Sequence, residues 1–190
     1  MELDHRAVAV NLGCGNSIRK SDDWVKWINL DMFDNEGVDV VQNLEHGLPC
    51  FEDESIDAIF ASHVFEHVKT WTQLMAECYR VLKPKGFLNI KVPDARCRAA
   101  IADPTHCNLF VNETWGHFDR DSEIGFDTLG MRKMGFKGKW NESITHYRNG
   151  LDDGLPGNYF TEIVVDLEKI GDDYPWEKLA TKKDVDQVAV

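Results

Sequence analysis

The sequence predicts an α/β fold built on parallel strands, and three observations carry that expectation. An apolar run, Val8-Ala9-Val10-Asn11-Leu12, stops at Gly13-Cys14-Gly15, the pattern of a buried strand that turns sharply. A second run, Ile28-Asn29-Leu30, ends in an acid, Asp31. A helix-period segment over 71–82 lies between β-rich runs at 56–61 and 87–92, the strand–helix–strand order of a parallel unit.

Residues 7–12 form the first strand. The segment 16–25 is polar and too short for much helix, and 25–31 is the second strand. Only about seven residues separate it from a third strand at 38–41, whereas a crossover containing a helix needs about a dozen. The helical layer of the amino half is therefore reduced. A loop rich in turn residues covers 48–55, and 56–61 is the fourth strand. Thr70-Trp71-Thr72-Gln73 fits a capping box, in which the threonine side chain closes the helix start. Trp71, Leu74, Met75, Cys78, Val81 and Leu82 then recur on one helical face. Pro84 and Gly86 end the helix, and 87–92 is the fifth strand, closed by Pro93-Asp94. Residues 95–102 read as a short helix. The aromatic, irregular stretch 103–126 reads as a lid or substrate-binding segment. A helix is expected at 127–135 and a late strand at 159–167, and the tail 171–190 is charged. With no internal repeat, residues 1–170 read as one domain.

The 190 residues are 43% hydrophobic, enough for one domain with a sizeable core. No apolar run approaches the ~18 residues that would span a membrane, and no signal-peptide pattern opens the chain; a cytoplasmic protein is expected. The formal net charge of −12 disfavours nonspecific nucleic-acid binding, which draws its affinity from Lys and Arg on phosphates. The basic clusters Arg132, Lys133, Lys137, Lys139 and Lys182-Lys183 read as solvated surface. Five cysteines without a Cys-x-x-Cys form neither a disulfide framework nor a zinc knuckle. Cys14 reads as structural.

Glycines at 13 and 15 let main chain approach a ligand closely, and Asp31 stands where a carboxylate can accept hydrogen bonds from a ribose. A dinucleotide site wants a third glycine where this chain has Ile18. The ligand expected carries ribose and adenine without a pyrophosphate, and a nicotinamide oxidoreductase ranks behind. His63-Val64-Phe65-Glu66-His67 spells the H-x-x-E-H of inverted zincins, so a zinc hydrolase using His63, Glu66 and His67 is a rival reading. The bland alternative is a string that merely follows the fourth strand, with His67 a packing or capping residue.

Four stretches, in order, resemble the motifs of class I S-adenosylmethionine-dependent methyltransferases of type 11. They are Asn11-Leu12-Gly13-Cys14-Gly15-Asn16, Leu30-Asp31, the run 48–57 against L-P-F-x-D-x-S-F-D, and the run 77–86 against E-x-x-R-V-L-K-P-G-G. Asp103-Pro104-Thr105-His106 resembles a motif of a compact bacterial and phage branch. The resemblance implies a Rossmann-like three-layer sandwich: a mostly parallel seven-stranded sheet with one antiparallel strand near an edge. It implies S-adenosyl-L-methionine as cofactor, at the carboxyl ends of strands one, two and four. Gly13 and Gly15 would approach its methionine part, with Asn11 where many members have an acid. Asp31 would hold the ribose, Met32 would pack on adenine, Asn43 and Leu44 would border the adenine edge, and Ser62 and His63 would lie near the methionine tail.

Methyl transfer asks the enzyme to align acceptor, methyl carbon and sulfur, and asks for a base where the acceptor is OH or NH. His63, His106 and Asp94 are the candidate bases; no metal is required. The acceptor expected is an oxygen or nitrogen of a small molecule or glycan. Ala61-Ser62-His63-Val64 lacks the Asp/Asn-Pro-Pro-Tyr of amino-methylating DNA enzymes, and Cys50 precedes the position of a cytosine-C5 nucleophile. A non-catalytic S-adenosylmethionine-binding protein on the same fold is the other rival. The thin helical layer leaves apolar sheet surface uncovered and predicts a homo-oligomer.

Overall fold

The computed structural model describes residues 6–118, 140–151 and 159–169. The elements are β1 (Ala7–Leu12), β2 (Val25–Asp31), β3 (Val40–Val41), β4 (Ile56–Ser62), α1 (Trp71–Val81), β5 (Leu82–Pro93), α2 (Arg98–Ala102), α3 (Asn112–Trp115), β6 (Trp140–Leu151) and β7 (Tyr159–Lys169). Seven strands form one sheet in the order β3-β2-β1-β4-β5-β7-β6. β1 pairs in parallel with β2 and β4, and so do β2 with β3 and β4 with β5. β7 runs antiparallel to both its neighbours, β5 and β6. The expected helix at 127–135, the remainder of the stretch 103–126 beyond residue 118, the two basic clusters and the tail 171–190 lie outside the described residues.

A parallel strand buried on both faces is apolar throughout; these strands alternate instead. Val10, Leu12, Leu30, Ile59, Leu88, Ile90 and Val92 point to one face and are buried there with Leu74, Met75, Cys78 and Val81 of α1. The other face carries Asn11, Asn29 and Asn89 beside Trp27, Phe60 and Phe87. Those three rings meet across β2, β4 and β5 with centroids 5.1 Å and 6.1 Å apart. No helix lies between β1 and β2. The segment 13–24 folds back instead, and the Arg19 guanidinium sits 4.6 Å and 4.7 Å from the Trp27 and Phe60 ring centres, a favourable cation–π geometry. The reduced helical layer is thus a feature of the structure, and one arginine covers part of the apolar surface it leaves. Asn29 fastens that segment. Its Oδ1 accepts from Arg19 N–H and Asn11 Nδ2, and its own amide donates to Arg19 O and Asp39.

The start of α1 departs from the expected capping box. The carboxylate of Glu45 accepts from the backbone N–H of Lys69 and Thr70 at 2.8 Å and 3.1 Å, and the Thr70 hydroxyl donates to it at 2.8 Å. With its hydroxyl turned to Glu45, Thr70 makes no side-chain cap. β6 is a strand that the periodicity did not reveal, and β5 starts directly after α1 rather than at residue 87. Within the run 103–126, Phe110, Trp115 and Phe118 are buried around Trp71 rather than held away from the core.

The two long motifs are halves of one clamp. Arg80 donates to the carbonyls of Leu48 and Phe51 at 3.0 Å and 3.1 Å, and Glu77 accepts from Leu48 N–H at 3.0 Å. Arg80 Nε also pairs with Glu77 at 2.8 Å. Asp57 accepts from Val8 N–H and from Lys83 Nζ, each at 2.8 Å. Lys85, standing where the motif has a glycine, adopts a left-handed φ of 65°, a conformation that costs a side-chain-bearing residue about 1–2 kcal/mol.

Arg80→Ala should lower the free energy of unfolding by about 2 kcal/mol, the scale of hydrogen bonds made by a charged group. Urea denaturation checks this, and a change within a few tenths of a kcal/mol would remove the clamp from the stability of the fold.

Candidate functional site

Two glycines shape the floor of the site. Gly13 and Gly15 both take positive φ, 57° and 49°. A Cβ on Gly13 would lie 2.6 Å from Val64 Cγ2, whereas one on Gly15 would meet nothing within 4 Å. The first glycine is therefore required by packing, and the second opens onto free space. Between them Cys14 is buried, and burial pushes its thiol pKa up, as expected of a structural cysteine.

Asp31 ties this loop to the end of β2. Its Oδ2 accepts Gly15 N–H at 2.8 Å and its Oδ1 accepts Phe33 N–H at 3.0 Å, while Cys14 N–H donates to Leu30 O at 3.0 Å. Each carboxylate oxygen has two lone pairs, so each can accept one more donor.

A cleft of about 600 Å³ opens here, lined by Gly13, Gly15, Asp31, Met32, Phe33, Asn35, Gln42, Asn43, Leu44, Glu45, His63, Val64, His67, Val68 and Thr105. None of these residues is Lys or Arg. Met32 and Phe33 are 55% and 62% exposed, a pair of apolar side chains at the cleft. Asn43 Oδ1 accepts Glu45 N–H at 2.9 Å and caps the 3-10 turn Leu44–His46, which holds Leu44 against the core. Seven expected site residues thus share one cleft: Gly13, Gly15, Asp31, Met32, Asn43, Leu44 and His63. Phe33, Gln42, Glu45, Val64, His67, Val68 and Thr105 join them without having been read from the sequence as cofactor neighbours. The apolar exposure of Met32-Phe33 directly after Asp31 was the available signal for Phe33.

Four expected residues stand elsewhere. Asn11 is buried on the far face of the sheet, donating to Ser17 O and Asn29. Ser62 is exposed at the end of β4, outside the cleft lining. Asp94 is 1% exposed and committed to the Arg96 guanidinium, which holds its carboxyl below the usual range against the opposing effect of burial; an acid so placed does not take up an acceptor proton. His106 lies behind Thr105, its Nδ1 2.9 Å from Ala100 O.

His63 follows β4 at a φ of 57°, strain of the kind that concentrates at functional sites. Its Nδ1 is 3.1 Å from Glu66 Oε1 and its Nε2 is 2.7 Å from Glu162 Oε1. Hydrogen bonding to Glu66 raises its pKa above the ordinary imidazole value, against burial and with a second contribution from Glu162. An imidazolium donates from both nitrogens, so the two carboxylates that face the His63 ring favour its protonated form over the neutral form a general base needs. The zinc-hydrolase reading meets the same obstacle. Residues Phe65–His67 form a 3-10 turn, not a helix carrying two histidines on one face, and both His63 nitrogens face carboxylates.

Comparison with known proteins agrees with this geometry. Residues 10–90 match the methyltransferase domain family. Over 95 residues the chain is 33% identical to the 25S rRNA (adenine(2142)-N(1))-methyltransferase of Saccharomyces cerevisiae. That match covers 47% of this chain and 28% of the yeast protein, so the chain spans well under half of that relative's length. A SAM-dependent methyltransferase from Archaeoglobus fulgidus superposes with a TM-score of 0.59 at 15% identity, covering 87% of each chain. The 1,6-didemethyltoxoflavin-N1-methyltransferase of Burkholderia thailandensis, solved with S-adenosylhomocysteine and its substrate, superposes with a TM-score of 0.52 at 11% identity. It covers 88% of this chain and 72% of its own. A Rossmann-like sheet with a glycine loop on β1 and an acid on β2 defines a nucleoside-cofactor domain. Over residues 10–90 the chain is similar to the methyltransferase domain family, and its sheet has the fold of solved S-adenosylmethionine-dependent methyltransferases. Among the described residues no helix is long and apolar enough to cross a membrane.

The raised His63 pKa has a direction in pH. Its contribution to stability is fully present below the unfolded-state value and is lost as pH rises through the higher folded-state value. A histidine-resolved NMR titration should show His63 titrating above about 6.5, the unperturbed value, and Glu162→Gln should move that midpoint down. A midpoint at or below the unperturbed value would dissolve the clamp.

Proposed function

We propose that this protein transfers the methyl group of S-adenosylmethionine to a nitrogen or oxygen of a small molecule or glycan. The observation that carries the acceptor class is the cleft itself. It joins the glycine loop and Asp31 to Met32 and Phe33, and among the described residues none of its lining is Lys or Arg. A surface that grips a phosphate backbone needs Lys and Arg free to displace counterions, and the chain carries a net charge of −12.

In this reading the open space above Gly15 receives the methionine part, and the free lone pairs of Asp31 accept the ribose hydroxyls. Met32 and Phe33 cover the adenine, with Asn43 and Leu44 along its edge. The transfer is an in-line displacement. The acceptor lone pair forms the new bond to the methyl carbon, the carbon–sulfur bond breaks, and its electron pair neutralises the sulfonium. A neutral nitrogen offers its lone pair without prior deprotonation and loses its proton to water afterwards, so this site suits nitrogen most directly. His63 acts by donating hydrogen bonds and positioning Glu66 and Glu162, not by removing a proton. The yeast relative is named for methylating an adenine nitrogen in rRNA, which supports nitrogen chemistry and makes RNA the acceptor to test against.

Methyl-labelled cofactor offered with panels of amines, alcohols and sugars, and separately with rRNA, tests the proposal. Label in a small acceptor is expected. Label in RNA alone overturns the acceptor class, and no label despite S-adenosylhomocysteine binding favours a non-catalytic binder. In calorimetry, Asp31→Ala should weaken S-adenosylhomocysteine by about 1.5–3 kcal/mol, the scale of hydrogen bonds to a charged group; an unchanged dissociation constant would remove Asp31 from the site.

A further inference from the structure

The loop Asp103-Pro104-Thr105-His106 has no part in the methyl-transfer reading, yet it is strapped to the turn after β4. Cys107 and Asn108 donate their backbone N–H to Glu66 O, and the Asn108 side chain donates to Phe65 O and Val68 O. The strap gathers Glu66, His67 and His106, each offering one ligand atom, with those atoms within 4.8 Å of one another.

Among the described residues no hydrogen bond takes up the remaining ligand atom of each, although Asp103 Oδ2 stands 3.8 Å from His106 Nε2. Glu66 is 1% exposed; its Oε1 faces His63, and its Oε2 has no hydrogen-bond partner among the described residues. An unpartnered carboxylate oxygen is costly to bury. The Thr105 hydroxyl donates to Asp103 Oδ1 at 2.6 Å, so toward His67 Nδ1, 3.1 Å away, it can only accept. His67 therefore carries its proton on Nδ1 and presents the Nε2 lone pair. His106 Nδ1 faces the Ala100 carbonyl at 2.9 Å, which fixes the same tautomer. Orientation of a ligating imidazole through its other ring nitrogen is the usual outer arrangement of a metal site.

We propose that Glu66 Oε2, His67 Nε2 and His106 Nε2 bind a divalent transition cation of the zinc class. Two imidazoles and one carboxylate match that class and leave coordination positions open, whereas magnesium and calcium prefer all-oxygen sets. Zinc–nitrogen bonds of about 2.0–2.1 Å place tetrahedral ligands roughly 3.3 Å apart, so binding would draw the three ligand atoms together from within their 4.8 Å spread. This set differs from the H-x-x-E-H reading. The 3-10 turn turns His63 into a partner of Glu66 and brings His106 in as the third ligand. His67 and Thr105 also line the cleft, so the metal would border the space where an acceptor enters.

The test uses untagged, full-length protein stripped with chelator, reloaded with zinc(II), dialysed and assayed for metal, with cobalt(II) as a spectroscopic replacement. One metal per chain is expected, with the visible cobalt bands of a four- or five-coordinate site. His67→Asn, His106→Asn and Glu66→Gln should each weaken binding at least about a hundredfold, since even outer partners of metal ligands cost 10–100-fold. Cys50→Ser should bind normally. His67 is exposed, so His67→Asn keeps the fold, and circular dichroism confirms it for all three. Absence of stoichiometric metal, or metal retained in His67→Asn and His106→Asn, overturns the site. S-adenosylhomocysteine binding measured in parallel separates this proposal from the methyltransferase reading: either can fail while the other stands.

Discussion

The carboxylate of Asp31 is the constraint from which the site is built. Two backbone donors from different segments, Gly15 and Phe33, converge on it, and the Cys14 N–H to Leu30 O bond runs beside them. One side chain thus sets the distance between the turn after β1 and the turn after β2. The cleft lies between those turns. A shift at Asp31 would move both walls at once, so the acid here serves the architecture of the cleft.

The motif residues divide by what they touch. Glu77, Arg80, Asp57 and Lys83, the most distinctive letters of the two long motifs, contact backbone and one another. They hold the loop 48–53, the start of β1 and the entry to β5 in register, and none lines the cleft. The cleft is lined instead by His63 and the turn that follows it, where backbone strain and opposed charges meet.

The order of strands was readable because apolar runs and glycine stops are local signals. β1, β2, β4 and α1 lie within a residue or two of where pattern placed them. β6 was not readable: Trp140, Ile144 and Tyr147 are spaced too irregularly to separate a strand from a loop. The cap of α1 failed for a different reason. Thr70 has the right chemistry, but Glu45 competes for its hydroxyl from 25 residues away in sequence. The cleft was legible where a motif letter also faces the ligand space, as with Gly15 and Asp31. It was misleading at Asn11 and Asp94, whose side chains turn to the opposite sheet face and to Arg96. The protonation state of His63 depends on Glu162, 99 residues distant, and no local pattern reports it.

The segment 13–24 carries a further consequence. Where a crossover helix would begin, this chain has irregular backbone pinned by Asn29 and Arg19. A helix start would present a cluster of unpaired N–H groups and about half a positive charge to the ligand, suited to a pyrophosphate. Here the Gly15 N–H is spent on Asp31, and the local field is that of a carboxylate. The electrostatics of the loop therefore select by sign: they favour a ligand with a positive sulfonium and penalise one bearing phosphates, before any shape is compared.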